Sequence, residues 1–127
     1  MPRFYHRVPT PPIEQGRTYY LKDCPPLDDD NTKDRPVIVV DDPPTIRAGG
    51  RVMVLAFSTR DRGEPRQVFV APTATNGLKK PSSAVPRWYF LVDRSQLDEH
   101  KGRITGKQLT DILLAYEAAY LADDDSD

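Results

Sequence analysis

The chain has 127 residues, a net charge of −1, 38% hydrophobic and 29% charged residues and a single cysteine, which suits one well-solvated domain with its own core. No stretch approaches the roughly 18 apolar residues of a membrane helix, and the opening MPRFYHRVPTPP has no apolar signal region, so the cytoplasm is the expected compartment. Cys24 alone forms no internal disulfide, and with only His6 and His100 beside it there is no metal-ligand spacing, so neither metal nor cofactor is expected.

Residues 1–15 are proline-rich without a period and read as an extended or disordered arm. Gly16 opens a first strand over residues 17–21, with Tyr19 and Tyr20 as strand formers. A proline- and aspartate-rich loop follows, including Asp28, Asp29 and Asp30. Val37, Ile38, Val39 and Val40 then form an apolar, β-branched run, read as a buried second strand over residues 37–41. Asp42-Pro43-Pro44 stops it, and Ala48-Gly49-Gly50 turns into a third strand over residues 51–57. A turn at residues 61–65 leads to a fourth strand at 67–71, and a loop at 73–81 precedes a fifth at 88–93. Five short strands separated by turn signals predict a small antiparallel barrel. Thr105 and Gln108 fit a capping box, after which Leu109, Ile112, Leu113, Tyr116 and Tyr120 recur at helical spacing as one apolar stripe. The helix is expected to end at Ala122, before an acidic tail at 123–127. The domain itself is therefore expected over residues 16–122.

Two places carry candidate chemistry. Arg35 precedes Pro36, which pushes it out of helical geometry and fixes its backbone as extended at the mouth of the second strand. A guanidinium held there can grip a phosphate through two hydrogen bonds; the plainer alternative is a solvated arginine. Ser58-Thr59-Arg60 follows the third strand, where a hydroxyl can donate to a phosphoryl oxygen or simply satisfy a turn. His6 and His100 have no carboxylate or thiol at useful spacing and read as surface residues. Residues 43–107 hold 12 Lys/Arg against 5 Asp/Glu, so a basic body sits between acidic segments and suits a polyanionic or acidic partner.

In order along the chain, Gly16-Arg17-Thr18-Tyr19-Tyr20-Leu21, Lys33-Asp34-Arg35-Pro36-Val37-Ile38-Val39-Val40, Val54-Leu55-Ala56-Phe57-Ser58-Thr59, Asn76-Gly77-Leu78-Lys79-Lys80-Pro81-Ser82 and Val92-Asp93-Arg94-Ser95-Gln96-Leu97 resemble the MazF/PemK family of toxins from bacterial toxin–antitoxin pairs. The resemblance covers residues 16–121. It implies a mainly β, SH3-like antiparallel barrel with a C-terminal helix, working as a homodimer. It also implies a sequence-selective, metal-independent endoribonuclease that inhibits growth by cutting single-stranded RNA to 2′,3′-cyclic phosphate and 5′-OH ends. Its partner would be an antitoxin with an acidic, disordered segment. Carried over by position, Arg35 would contact the scissile phosphate, and Ser58, or Thr59 in a register shifted by one, would stabilise the phosphoryl oxygens. Lys33, Arg60, Lys79, Lys80 and Arg87 are the expected RNA contacts.

Val85 and Arg87 stand where many members carry an Arg and an Asp, and Trp88 stands where glutamine is usual. That departure leaves a second reading, a non-catalytic protein- or nucleic-acid-binding module that uses Trp88 and Tyr89 as exposed aromatics. A third reading is a gyrase-targeting toxin on the same fold.

Overall fold

Six strands in the computed structural model form one antiparallel sheet in the order β4-β5-β3-β2-β1-β6, backed by a C-terminal helix. Residues 12–26, 33–60 and 63–124 are described. The arm up to residue 11 with His6, the acidic loop Asp28-Asp29-Asp30, the turn residues Asp61 and Arg62, and the tail from residue 125 lie outside them. The strands are β1 Arg17–Cys24, β2 Lys33–Val39, β3 Val52–Ser58, β4 Val68–Val70, β5 Ser82–Val92 and β6 Leu97–Arg103; the helices are α1 Pro43–Arg47 and α2 Gly106–Asp124. This is the expected mainly β, antiparallel architecture with a C-terminal helix, in the form of a half-barrel.

Several elements differ from the sequence expectation, each for a physical reason. β6 was not expected, because LDEHKGR carries no apolar alternation. It is an edge strand that pairs only with β1, from Arg17↔Arg103 to Leu21↔Leu97, and charge on an edge is how sheets discourage further pairing. α1 replaces the expected plain stop and turn. Asp42 caps it by accepting the Thr45 N–H at 3.1 Å, with prolines in the first turn where a missing N–H costs nothing. β5 begins at Ser82 rather than 88, because a bulge at Pro86 interrupts its pattern. α2 runs two residues past Ala122 into the acidic tail. Of the expected arm, residues 12–15 belong to the folded body. Ile13 packs on the core, Glu14 pairs with Arg17 and Arg103, and Gln15 donates to the Val40 carbonyl at 3.2 Å.

Strand alternation places a core on each face of the sheet. One contains Tyr19, Leu21, Val37, Val39, Val52, Val54, Ala56, Val85, Trp88 and Val92, with Cys24 and with Ile46 from α1. The other contains Ile38, Leu55, Phe57, Val70 and Ala84 and is covered by α2 through Ile112, Leu109, Leu113 and Tyr116, the expected apolar stripe. The β4–β5 connection closes this second face by crossing to β1 and β6. Asn76 is the hub: its Oδ1 accepts the N–H of Thr73 and Leu78, its Nδ2 donates to the Ala71 carbonyl, and its own carbonyl accepts from Thr18 Oγ1. Gly77 follows at φ +74, so close to β6 that an added Cβ would lie 2.3 Å from the Lys101 carbonyl oxygen.

Candidate active site

β2 and β3 pair at Val37↔Ala56, Ile38↔Leu55 and Val39↔Val54. The ladder stops at Val37, beside Pro36, which has no N–H to give it. Carried two residues further, the same register sets Arg35 opposite Ser58. Alternation keeps Arg35 on the face of Val37 and Val39, and Ser58 on the face of Ala56 and Val54. β3 then pairs with β5 at Ser58↔Ser83, and β5 with β4 at Ser83↔Phe69. Directly opposed residues share a face. One row therefore runs across four strands as Arg35, Ser58, Ser83 and Phe69. The first three are buried, at 5%, 2% and 2% exposure, whereas Phe69 at the edge is 63% exposed.

The guanidinium of Arg35 lies over the Trp88 ring, 4.6 Å from its centroid. The bulge in β5 brings Trp88 there: Val85, Pro86, Arg87 and Trp88 pass while β3 advances through Ala56 alone. Stacking on indole stabilises the planar cation and leaves fewer orientations open to its fork. Ser58 Oγ accepts the Arg60 N–H at 3.2 Å, which fixes the hydroxyl at the exit from β3. Thr59 is exposed beyond the strand, so the register brings Ser58 and not Thr59 into the row.

The antiparallel register places the start of β2, the end of β3 and the start of β5 at one end of the sheet. Lys33, Arg60, Lys79 and Lys80 flank those three ends and are exposed. Arg87 differs: Glu64 holds it through two hydrogen bonds of 2.6 and 2.8 Å. Its fork is thus engaged with a carboxylate. Val85 is wholly buried and is part of the core. Trp88, required as exposed by the binding-module reading, is 3% exposed, so that support falls away. Tyr89 points to the other face and packs on Tyr116 and Tyr120 of α2. His100 lies on β6, away from this end of β2 and β3. Among the described residues no group of three or more His, Cys, Asp or Glu gathers as a metal site, and no helix is long and apolar enough to cross a membrane.

Sequence reasoning missed Ser83 and the Arg35–Trp88 stack. Neither has a local signature, since both follow from strand register and from the bulge at Pro86. The second serine after Lys79-Lys80-Pro81 was visible, but not which strand it would meet.

The chain is thus a small half-barrel of one antiparallel sheet and one closing helix, with a guanidinium–hydroxyl row at one sheet end. Solved structures with this architecture include the Mycobacterium tuberculosis toxin MazF-mt6, at 23% identity and a TM-score of 0.64 over 82% of this chain and 95% of that one. MazF from Deinococcus radiodurans is similar at 17% identity and a TM-score of 0.66, over 84% and 94%. An endoribonuclease in complex with its cognate antitoxin from a Mycobacterial species is similar at 18% identity and a TM-score of 0.65, over 84% and 93%. At these identities the likeness establishes the fold. The sequence itself goes further: matched over residues 14–118, the chain belongs to the PemK-like, MazF-like toxins of type II toxin–antitoxin systems. No curated protein matches it.

Proposed function

We propose that this toxin is an endoribonuclease that cuts single-stranded RNA without a metal, through Arg35 and Ser58. The observation that carries the reading is the β2–β3 register, which sets a buried guanidinium opposite a buried hydroxyl beside a cluster of exposed cations. Family membership and the names of its structural neighbours support the same class of activity. In this reaction the ribose 2′-oxygen bonds to phosphorus as the bond from phosphorus to the 5′-oxygen breaks. The 2′-hydroxyl gives its proton to water and the departing 5′-oxygen takes one from water, leaving 2′,3′-cyclic phosphate and 5′-OH ends. A guanidinium stays protonated in water, so Arg35 is not the base that takes the 2′-proton. Arg35 instead grips the phosphoryl group as charge builds on it and assists proton delivery to the departing oxygen, while Ser58 donates to a phosphoryl oxygen. Lys33, Arg60, Lys79 and Lys80 would hold the flanking backbone. The protein would act as a homodimer in the cytoplasm. An antitoxin with an acidic segment would neutralise it by lying across the same cations; relatives in complex with a cognate antitoxin or with MazE support an antitoxin partner.

The test is cleavage of a long single-stranded RNA in excess EDTA, with new ends mapped, beside Arg35→Lys and Ser58→Ala. The wild type should give discrete cuts with 5′-OH ends. Arg35→Lys keeps the charge and loses the fork, and should cut about a thousandfold more slowly. Ser58→Ala should cut about a hundredfold more slowly. Both should keep the wild-type circular dichroism. Folded variants cutting at the wild-type rate would remove Arg35 and Ser58 from the site, and a wild type that makes no cuts would remove the ribonuclease reading.

A further inference from the structure

We propose that Phe69 is a nucleobase-stacking platform, so that the row Arg35–Ser58–Ser83–Phe69 is a track for one single strand of RNA, with the phosphate at its buried end and a base at its open end. The inference rests on the ribonuclease reading for the identity of the strand. Phe69 is 63% exposed on an edge strand whose neighbours Val68 and Val70 turn to the opposite, helix-covered face. It directly opposes Ser83, which directly opposes Ser58, so its ring stands on the same face as the phosphate-gripping groups. Adjacent strands lie about 4.8 Å apart, which puts Phe69 about 10 Å from Ser58, within reach of a base whose chain passes over that hydroxyl. An aromatic face takes any base by stacking and suits single strands, whose bases are free to splay. Ser83 lies between them, beneath the surface at 2% exposure, and keeps the row continuous. The continuity of the row is what selects a base over an apolar side chain of a protein partner.

The experiment uses the full chain with Ser58→Ala to slow cutting, in EDTA and read within seconds of mixing, and short single-stranded RNAs with 2-aminopurine placed at successive positions. One position should be strongly quenched on binding. Adding Phe69→Ala should abolish that quench and weaken binding about tenfold. Phe69→Trp should restore both, and Phe69→Leu, equally apolar but without a ring, should restore neither. Phe69 is exposed, so these changes leave the core intact. Quenching and affinity unchanged in Phe69→Ala would overturn the platform, including the case in which Phe69 serves only a protein partner. Cleavage by the Ser58-containing protein is scored separately. A protein that binds and quenches through Phe69 but never cuts would sink the ribonuclease reading and leave the stacking site standing. A protein that cuts normally with Phe69→Ala would do the reverse.

Discussion

The buried polar residues divide between the two faces of the sheet, and the two sets behave differently. On the α2 side are Thr18, Asn76 and Ser82, and each gives its side chain to the backbone. Thr18 Oγ1 donates to the Asn76 carbonyl at 2.9 Å, Asn76 makes three side-chain bonds, and Ser82 Oγ donates to the Lys80 carbonyl at 2.9 Å. On the other side are Arg35, Ser58 and Ser83, aligned in a single row at the end of an otherwise apolar floor that includes Tyr19 and Trp88. Burying polar groups is costly, so a fold keeps them where they fasten something or act on something. The first set fastens the β4–β5 connection across the half-barrel. The second set lines up in one row at one end of the sheet, an alignment that suits a ligand. The comparison teaches that, in this small barrel, equal burial goes with loop closure on one face and with the row proposed for the chemistry on the other.

The difference breaks most visibly at Gly77. Alanine there must adopt φ +74 and place its Cβ 2.3 Å from a backbone oxygen of β6, which cannot yield as a side chain would. Gly77→Ala should destabilise the protein by about 4 kcal/mol, read as a lower denaturant midpoint. Asn76→Ala should follow at about 3 kcal/mol, because the N–H groups of Thr73 and Leu78 and the Ala71 carbonyl lose their partner together. Ser58→Ala should instead change stability by less than about 1 kcal/mol, because the Arg60 N–H it releases sits at an exposed strand exit. Denaturant titration of the three variants checks the order. A Ser58→Ala protein as unstable as Asn76→Ala would make the row a structural device like its counterpart and erase the distinction.

Much of this arrangement was legible in the sequence wherever a local rule acts alone. The Val37–Val40 run, the apolar stripe of α2 and the Arg35-Pro36 step all declare themselves within a few residues. The family order of motifs supplied the barrel, the helix and the candidates Arg35 and Ser58 or Thr59. What stayed hidden depends on partners distant in sequence. β6 is polar because it is an edge, so its strand character comes from pairing with β1. α1 was announced by Asp42 before two prolines, but a signal for stopping a strand and one for starting a helix look alike there. The choice between Ser58 and Thr59 is a one-residue register question, which only pairing decides. The pairing of Arg87 with Glu64, 23 positions earlier in the chain, likewise has no local signature.

The smallest expected effect sharpens the comparison from the closing face. Tyr89, Tyr116 and Tyr120 cluster there with ring centroids 5.5–5.9 Å apart, and Tyr89 Oη donates to Asp123 at the end of α2. The hydrogen bond to Asp123, with burial second, pushes the Tyr89 phenol up to about 12, and burial followed by the Asp41 carboxylate pushes Tyr116 up to about 12 as well. In the unfolded chain a tyrosine ionises near about 10. The fold therefore favours the protonated phenols. Their contribution is fully present below about pH 10 and is lost as pH rises from there through about 12, because the unfolded state releases its protons first. Melting midpoints should accordingly fall more steeply between pH 10 and about 12 than between pH 8 and 10, and Tyr89→Phe should make the fall shallower. The same variant at neutral pH should cut RNA at the wild-type rate, since Tyr89 faces away from Arg35 and Ser58. Equal slopes in the two proteins would show that the Tyr89–Asp123 contact does not hold the end of α2 in solution. A loss of cleavage at neutral pH in folded Tyr89→Phe would show that the two faces are coupled, and closure and chemistry would then no longer be separable by side of the sheet.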